Sequence, residues 1–157
     1  MTLPRRRGLL AAVGSGAVAG LSGCLGTLVP DVDEEGDALV AELRMYDRRP
    51  DPPEVVADTH HDHWHGRLPD ISVGETRRLA GEFKDHNHAT IPVGGDESYQ
   101  LQARTERPHD AVSVDSHGDY VAITGEAAGE TTIVFQLADG VDTNWEAPPI
   151  SIVVTSA

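Results

Sequence analysis

From residue 38 onward, apolar and polar positions alternate with a period of two. Leu39, Ala41, Leu43 and Met45 interleave with Val40, Glu42, Arg44 and Tyr46, the pattern of a strand with one buried face. A helix fits that first run taken alone, and the strand reading rests on everything downstream being β. Strand-like runs then recur over Val55–His65, Thr76–Phe83, Ala89–Val93, Ser98–Thr105, Ala111–Asp115, Tyr120–Thr124, Thr131–Leu137 and Ile150–Thr155. Turn residues separate them: Asp51-Pro52-Pro53, Gly94-Gly95-Asp96, Ser116-His117-Gly118-Asp119 and Gly125 to Gly129. No stretch keeps a helical period over about 12 residues. Eight or nine short strands with regular turns predict an all-β chain folded as an antiparallel sandwich over residues 38–157.

A family resemblance leads to the same fold. Ile71-Ser72-Val73-Gly74-Glu75-Thr76, followed by Leu79, resembles the opening of bacterial Ig-like domains, where a Val-Gly-Glu-Thr turn enters a strand. Ala111–Asp115, Tyr120–Gly125 and Ala128-Gly129-Glu130-Thr131-Thr132-Ile133 are similar to that family's closing half. The resemblance covers roughly residues 70–155 and implies an Ig-like sandwich, used in that family mainly for adhesion and spacing on cell surfaces. Fold alone does not assign function.

The start of the chain follows a different logic. Arg5-Arg6-Arg7 precedes an uncharged run from Gly8 to Leu21, shorter than the roughly 20 apolar residues a spanning helix needs. Arg6-Arg7-Gly8-Leu9-Leu10 resembles a twin-arginine export signal, and Leu21-Ser22-Gly23-Cys24 resembles a lipobox. Cys24 is the chain's one cysteine. The resemblance implies a signal over residues 1–23, a lipid on Cys24 and an acidic tether over 24–37. The mature protein is then expected on the extracytoplasmic face of the membrane, anchored without spanning it. With Cys24 acylated, no thiol remains for a disulfide, a thiolate metal site or a nucleophile.

Charge narrows the partners. The first 23 residues hold three of the twelve basic residues and none of the 26 acids, so the remainder carries nine bases against 26 acids, a formal charge of −17. Phosphate backbones need Lys and Arg, so nucleic acid is excluded as a partner. The acidity also resembles that of proteins from salt-loving archaea, where it serves hydration and solubility. The other reading is an acidic face that attracts cations.

The candidate chemistry lies in the histidines. Most of the eight fall in two short clusters, His60-His61-Asp62-His63-Trp64-His65 and His86-Asn87-His88. On one continuous strand, His61, His63 and His65 share a face and His60, Asp62 and Trp64 take the other. Residues two apart lie about 6.7 Å apart and those four apart about 13 Å. One His-x-His pair is therefore the unit that can serve a tetrahedral ion, whose ligand nitrogens are roughly 3.3 Å from each other. Further ligands come from His117, with Asp115 beside it, or from His86 and His88 at a hairpin tip, which otherwise reads as an exposed turn. His109 reads as solvent-exposed. His63-Trp64-His65-Gly66 and Ser116-His117-Gly118 are also similar to lipoproteins of salt-loving archaea whose histidines suggest metal binding. Those carry histidines where this chain has Ala122, Thr124 and Ala138-Asp139-Gly140.

These observations predict a lipid-anchored surface protein that binds zinc, copper or nickel through His61, His63 or His65 together with His117. Capture of the metal, or its handover to a transporter or another surface protein, is the expected role. Two other readings stand beside it: a structural or adhesive Ig-like module without metal, and a pH-sensitive patch, since histidines titrate near neutrality. Catalysis is not expected. Asp62 and Asp115 are bases only on paper, Ser98, Ser113 and Ser116 lie in no nucleophile motif, and no helix-borne His-Glu-x-x-His, phosphate loop or dinucleotide fingerprint is present.

Overall fold

The computed structural model describes residues 39–106 and 110–157. The signal, Cys24, the tether and His109 lie outside the described residues. Twelve strands form two sheets packed face to face. The first sheet runs β3 (His63–Gly66), β2 (Glu54–His60), β1 (Glu42–Asp47), β5 (Thr76–Lys84), β9 (Tyr120–Gly125) and β8 (Val112–Ser116), with β6 (Thr90–Ile91) added to β5.

The second sheet is organised by β10 (Gly129–Asp139). Gln136 pairs with both Gln102 of β7 (Gln100–Thr105) and Glu146 of β11 (Asp142–Glu146), while Ile133 pairs with both Thr105 and Ile150 of β12 (Ile150–Thr155). A residue has only two neighbours in a sheet, so β11 and β12 follow one another along the same edge of β10, with β7 on the other. Ala147-Pro148-Pro149 interrupts that return strand, because proline cannot donate to the ladder. β4 (Ile71–Ser72) then pairs in parallel with β12, whereas the other strand pairs among the described residues are antiparallel.

The expected class is thus the observed one, and the reason is visible in the alternation. Leu43 and Met45, Leu79 and Phe83, Val121 and Ile123, and Ile133, Phe135 and Leu137 all point inward and are fully buried or nearly so. They form one continuous apolar core between the sheets. Three elements differ from the sequence reading. The run Val55–His65 is two strands joined at His61-Asp62, not one. The short strands β4 and β11 carry no apolar alternation of their own, and pairing with neighbours extends them.

Candidate functional site

The turn at His61-Asp62 decides which histidines meet. His60 pairs with His63, and Asp58 with His65. Paired residues in an antiparallel hairpin share a face. Ala57 and Thr59 point into the core, so Asp58, His60, His63 and His65 point outward. The expected set of His61, His63 and His65 on one strand face is corrected accordingly: His60 takes the place of His61, which occupies the turn with a φ of 58°. The ring centroids of His60 lie 4.5 Å from His61, 6.3 Å from His63 and 6.0 Å from His65, and those of His63 and His65 lie 4.8 Å apart.

The inward side chains fix this hairpin. Trp64 packs edge-on against Phe135 at 6.0 Å and donates its indole N–H to the Pro148 carbonyl at 2.6 Å, which ties the edge of one sheet to the break in the other. The Thr59 hydroxyl accepts the Leu43 backbone N–H at 2.8 Å in a buried position. Gly66 closes β3 with a φ of 83°, and a Cβ there would sit 2.4 Å from the Val56 carbonyl oxygen, so only glycine fits.

His86 and His88 reach the same corner from the β5–β6 tip. Asp85 Oδ1 accepts the backbone N–H groups of Asn87 and Ala89 and shapes the tip, leaving His88 at a φ of 62°. His61 and His88 are the two non-glycine residues with positive φ among the described residues. Both line one recess of about 370 Å³ with His60, His86, Glu42 and Trp145. Nothing in the sequence spacing joined the two clusters; strand order did, by placing β5 beside β1 and β1 beside β2.

His117 is not brought to them. It lies in the turn between β8 and β9, five strand positions from β3 at about 4.8 Å each. Its ring stacks on Tyr120, with centroids 4.6 Å apart, and the Arg48 guanidinium lies 4.7 Å from the Tyr120 ring centroid. Asp115 is exposed on β8, at that same far edge. As the side chains stand, no three His, Cys, Asp or Glu donors among the described residues converge as a metal centre.

Charged groups elsewhere are committed to one another. Backbone donation from Ser72, together with Arg77 and Arg49, lowers the pKa of Glu75. Gln136 and Arg104 lower that of Glu146, and His63 lowers that of Asp62. Glu42 raises Arg44. Burial works against the charge on Arg77, but its bonds to Glu75 and to the buried Asp47 outweigh it and raise the pKa. Tyr46 is raised by burial and by donating to Glu82.

No protein-family model and no curated protein matches the chain. Among solved structures, domains 4 and 5 of the S-layer protein SbsC are similar, with a TM-score of 0.42 and 11% identity over 78% of this chain and 79% of that one.

Proposed function

We propose that this chain is a non-catalytic module of the cell surface, held by a lipid on Cys24 and acting in a structural or adhesive role through the faces of its sandwich. Two observations support this reading: among the described residues no three His, Cys, Asp or Glu donors converge on one point, and the pKa displacements run away from the values catalysis needs. The carboxylates of Asp62, Glu75 and Glu146 move down, while Arg44, Arg77 and Tyr46 move up. Each shift moves the group further from neutrality. General acids and bases need the opposite, a pKa drawn toward the working pH. Tyr46, Glu75, Arg77 and Glu146 fasten different strands and loops together, while Arg44 and Asp62 are held by near neighbours in the chain. The test is placement: wild type should stay with the membrane fraction and be cut by protease added to intact cells, whereas Cys24→Ser should appear in the medium. A wild-type protein protected from external protease would end the surface reading.

A second reading has its own support. Two imidazoles on one tetrahedral ion, each bound at about 2.0–2.1 Å, place their ring centroids roughly 5 Å apart. The His60-centred spacings of 4.5–6.3 Å bracket that value. In this reading a zinc, copper or nickel ion is held around His60, with His63 and His65 on its strand face or His86 and His88 across the recess. Elemental mass spectrometry on the untagged full-length protein tests it. His60→Ala should abolish a near-stoichiometric ion and His117→Ala should leave it. A protein that is metal-free and takes up no added ion would remove the reading.

A further inference from the structure

A second recess lies on the outer face of the first sheet, away from the two histidine clusters and bordered by His117, whose ring stacks on Tyr120. It measures about 520 Å³ and is lined by Arg48 and Arg49, which directly follow β1, Thr76 and Arg78 of β5, and Tyr120 of β9. On this face small residues alternate with long ones: Arg78 pairs with Ala122, and Ala80 with both Tyr46 and Tyr120. Beneath it, Leu79, Val121 and Ile123 are fully buried.

Its charge is unexpected. In a chain of formal charge −14, three guanidinium groups line one hollow, and like charges on neighbouring strands destabilise a sheet. Neighbouring acids answer two of them. Arg49 pairs with Glu75 at 2.7 Å, and Arg48 meets Asp119 at 3.8 Å with both side chains about half exposed. Arg78 is exposed, and among the described residues no ion pair includes it. An arginine fork without a carboxylate, beside a loosely held one, is suited to bidentate capture of an oxyanion from outside.

We propose that this recess binds the carboxylate groups of an acidic saccharide. The inference deepens the adhesive reading given above and rests on it for the setting in which such a polymer is met. Two observations favour a saccharide over an acidic peptide. β1, β5 and β9 are each paired on both sides, so no chain can add to them as a strand, the mode that gives peptides their main-chain hydrogen bonds. The lining is polar, with the Thr76 hydroxyl and the Tyr120 phenol beside the arginines, which suits hydroxyl-bearing rings better than apolar anchors.

The test is calorimetric titration of the full-length protein with polygalacturonate, with neutral dextran and poly-glutamate alongside, at fixed salt. Polygalacturonate should bind and dextran should not. Arg78→Ala should weaken binding about tenfold or more, the worth of a charge-assisted hydrogen bond. Arg104→Ala, which removes the same charge from an exposed position on the other sheet, should weaken it less than about twofold, the part owed to overall charge. Equal losses in the two variants would overturn the site in favour of non-specific attraction. Poly-glutamate binding as tightly as polygalacturonate would overturn the saccharide assignment. Protease shaving of intact cells keeps the two readings apart: a shaved protein without polygalacturonate binding loses this site alone, and a binding protein that resists shaving loses the surface reading alone.

Discussion

The two recesses draw on the first sheet in different ways. The arginine recess stands on β5 and its two neighbours, in the middle of the sheet and above fully buried Leu79, Val121 and Ile123. The histidine recess lies between two hairpin tips, the start of β1 and Trp145 of the second sheet, where the chain reverses at His61 and His88 in left-handed conformations. Backbone in that region costs non-glycine residues on the order of 1 kcal/mol or more each. The first is therefore held by the whole core. The second shares that core and depends in addition on the seating of its hairpin by Trp64 against Phe135 and Pro148. A rigid platform suits an arginine fork, whose hydrogen bonds demand fixed angles. Two tips that face one recess suit imidazoles that share an ion.

The largest effect should come from breaking the platform. Leu79→Ala, at a side chain with no exposed surface, should lower stability by about 2–5 kcal/mol in urea unfolding. Both recesses should disappear in one transition, since the core is common to them. Loss of the arginine recess alone would mean that the sheet is not the single support described here. Trp64→Ala should cost less, about 2–3 kcal/mol, combining partial loss of an aromatic side chain with one hydrogen bond. Its effect should be local. Amide exchange over 60–66 should accelerate while 76–80 and 120–124 stay protected. Equal acceleration in both regions would erase the contrast between the recesses.

How far each recess was legible in the sequence follows from the same contrast. The sandwich was readable because its inward residues alternate within each strand. The histidine cluster was readable because it is contiguous, but its geometry was not. A two-residue reversal inside Val55–His65 carries no glycine or proline to mark it, and His61 takes the positive φ that usually signals Asn or Gly. That one turn moved His60 onto the outward face and His61 off it. His117 was credited to the site because a turn histidine beside Asp115 has ligand chemistry, while only strand order reveals that β8 and β3 are opposite edges. The arginine recess left no motif in the sequence. Arg48, Arg49, Arg78 and Tyr120 come from three segments, which only the strand order brings together. The signal that existed was compositional: a chain with few bases that places Arg48-Arg49 and Arg77-Arg78 in adjacent pairs.

The smallest effect expected is a pH dependence that separates the recesses by their charges. Glu75 holds Arg49 and Arg77 and accepts the Ser72 N–H, and these partners depress its pKa below the ordinary 4.5. A carboxylate with a depressed folded-state pKa binds fewer protons when folded than when unfolded. Its contribution is therefore fully present above about pH 4.5 and is lost as the pH falls through the lower folded-state value. Thermal unfolding of wild type should move to lower temperature as the pH drops below about 4.5. Glu75→Gln should start from a lower value at neutral pH and show a flatter decline. Protonation also releases Arg49, so polygalacturonate binding measured against the Glu75→Gln variant should change over the same interval, whereas His60→Ala should leave that interval unaltered. Identical acid profiles for wild type and Glu75→Gln would mean that Asp47 and Arg77 hold the corner by themselves and that Glu75 only decorates the rim.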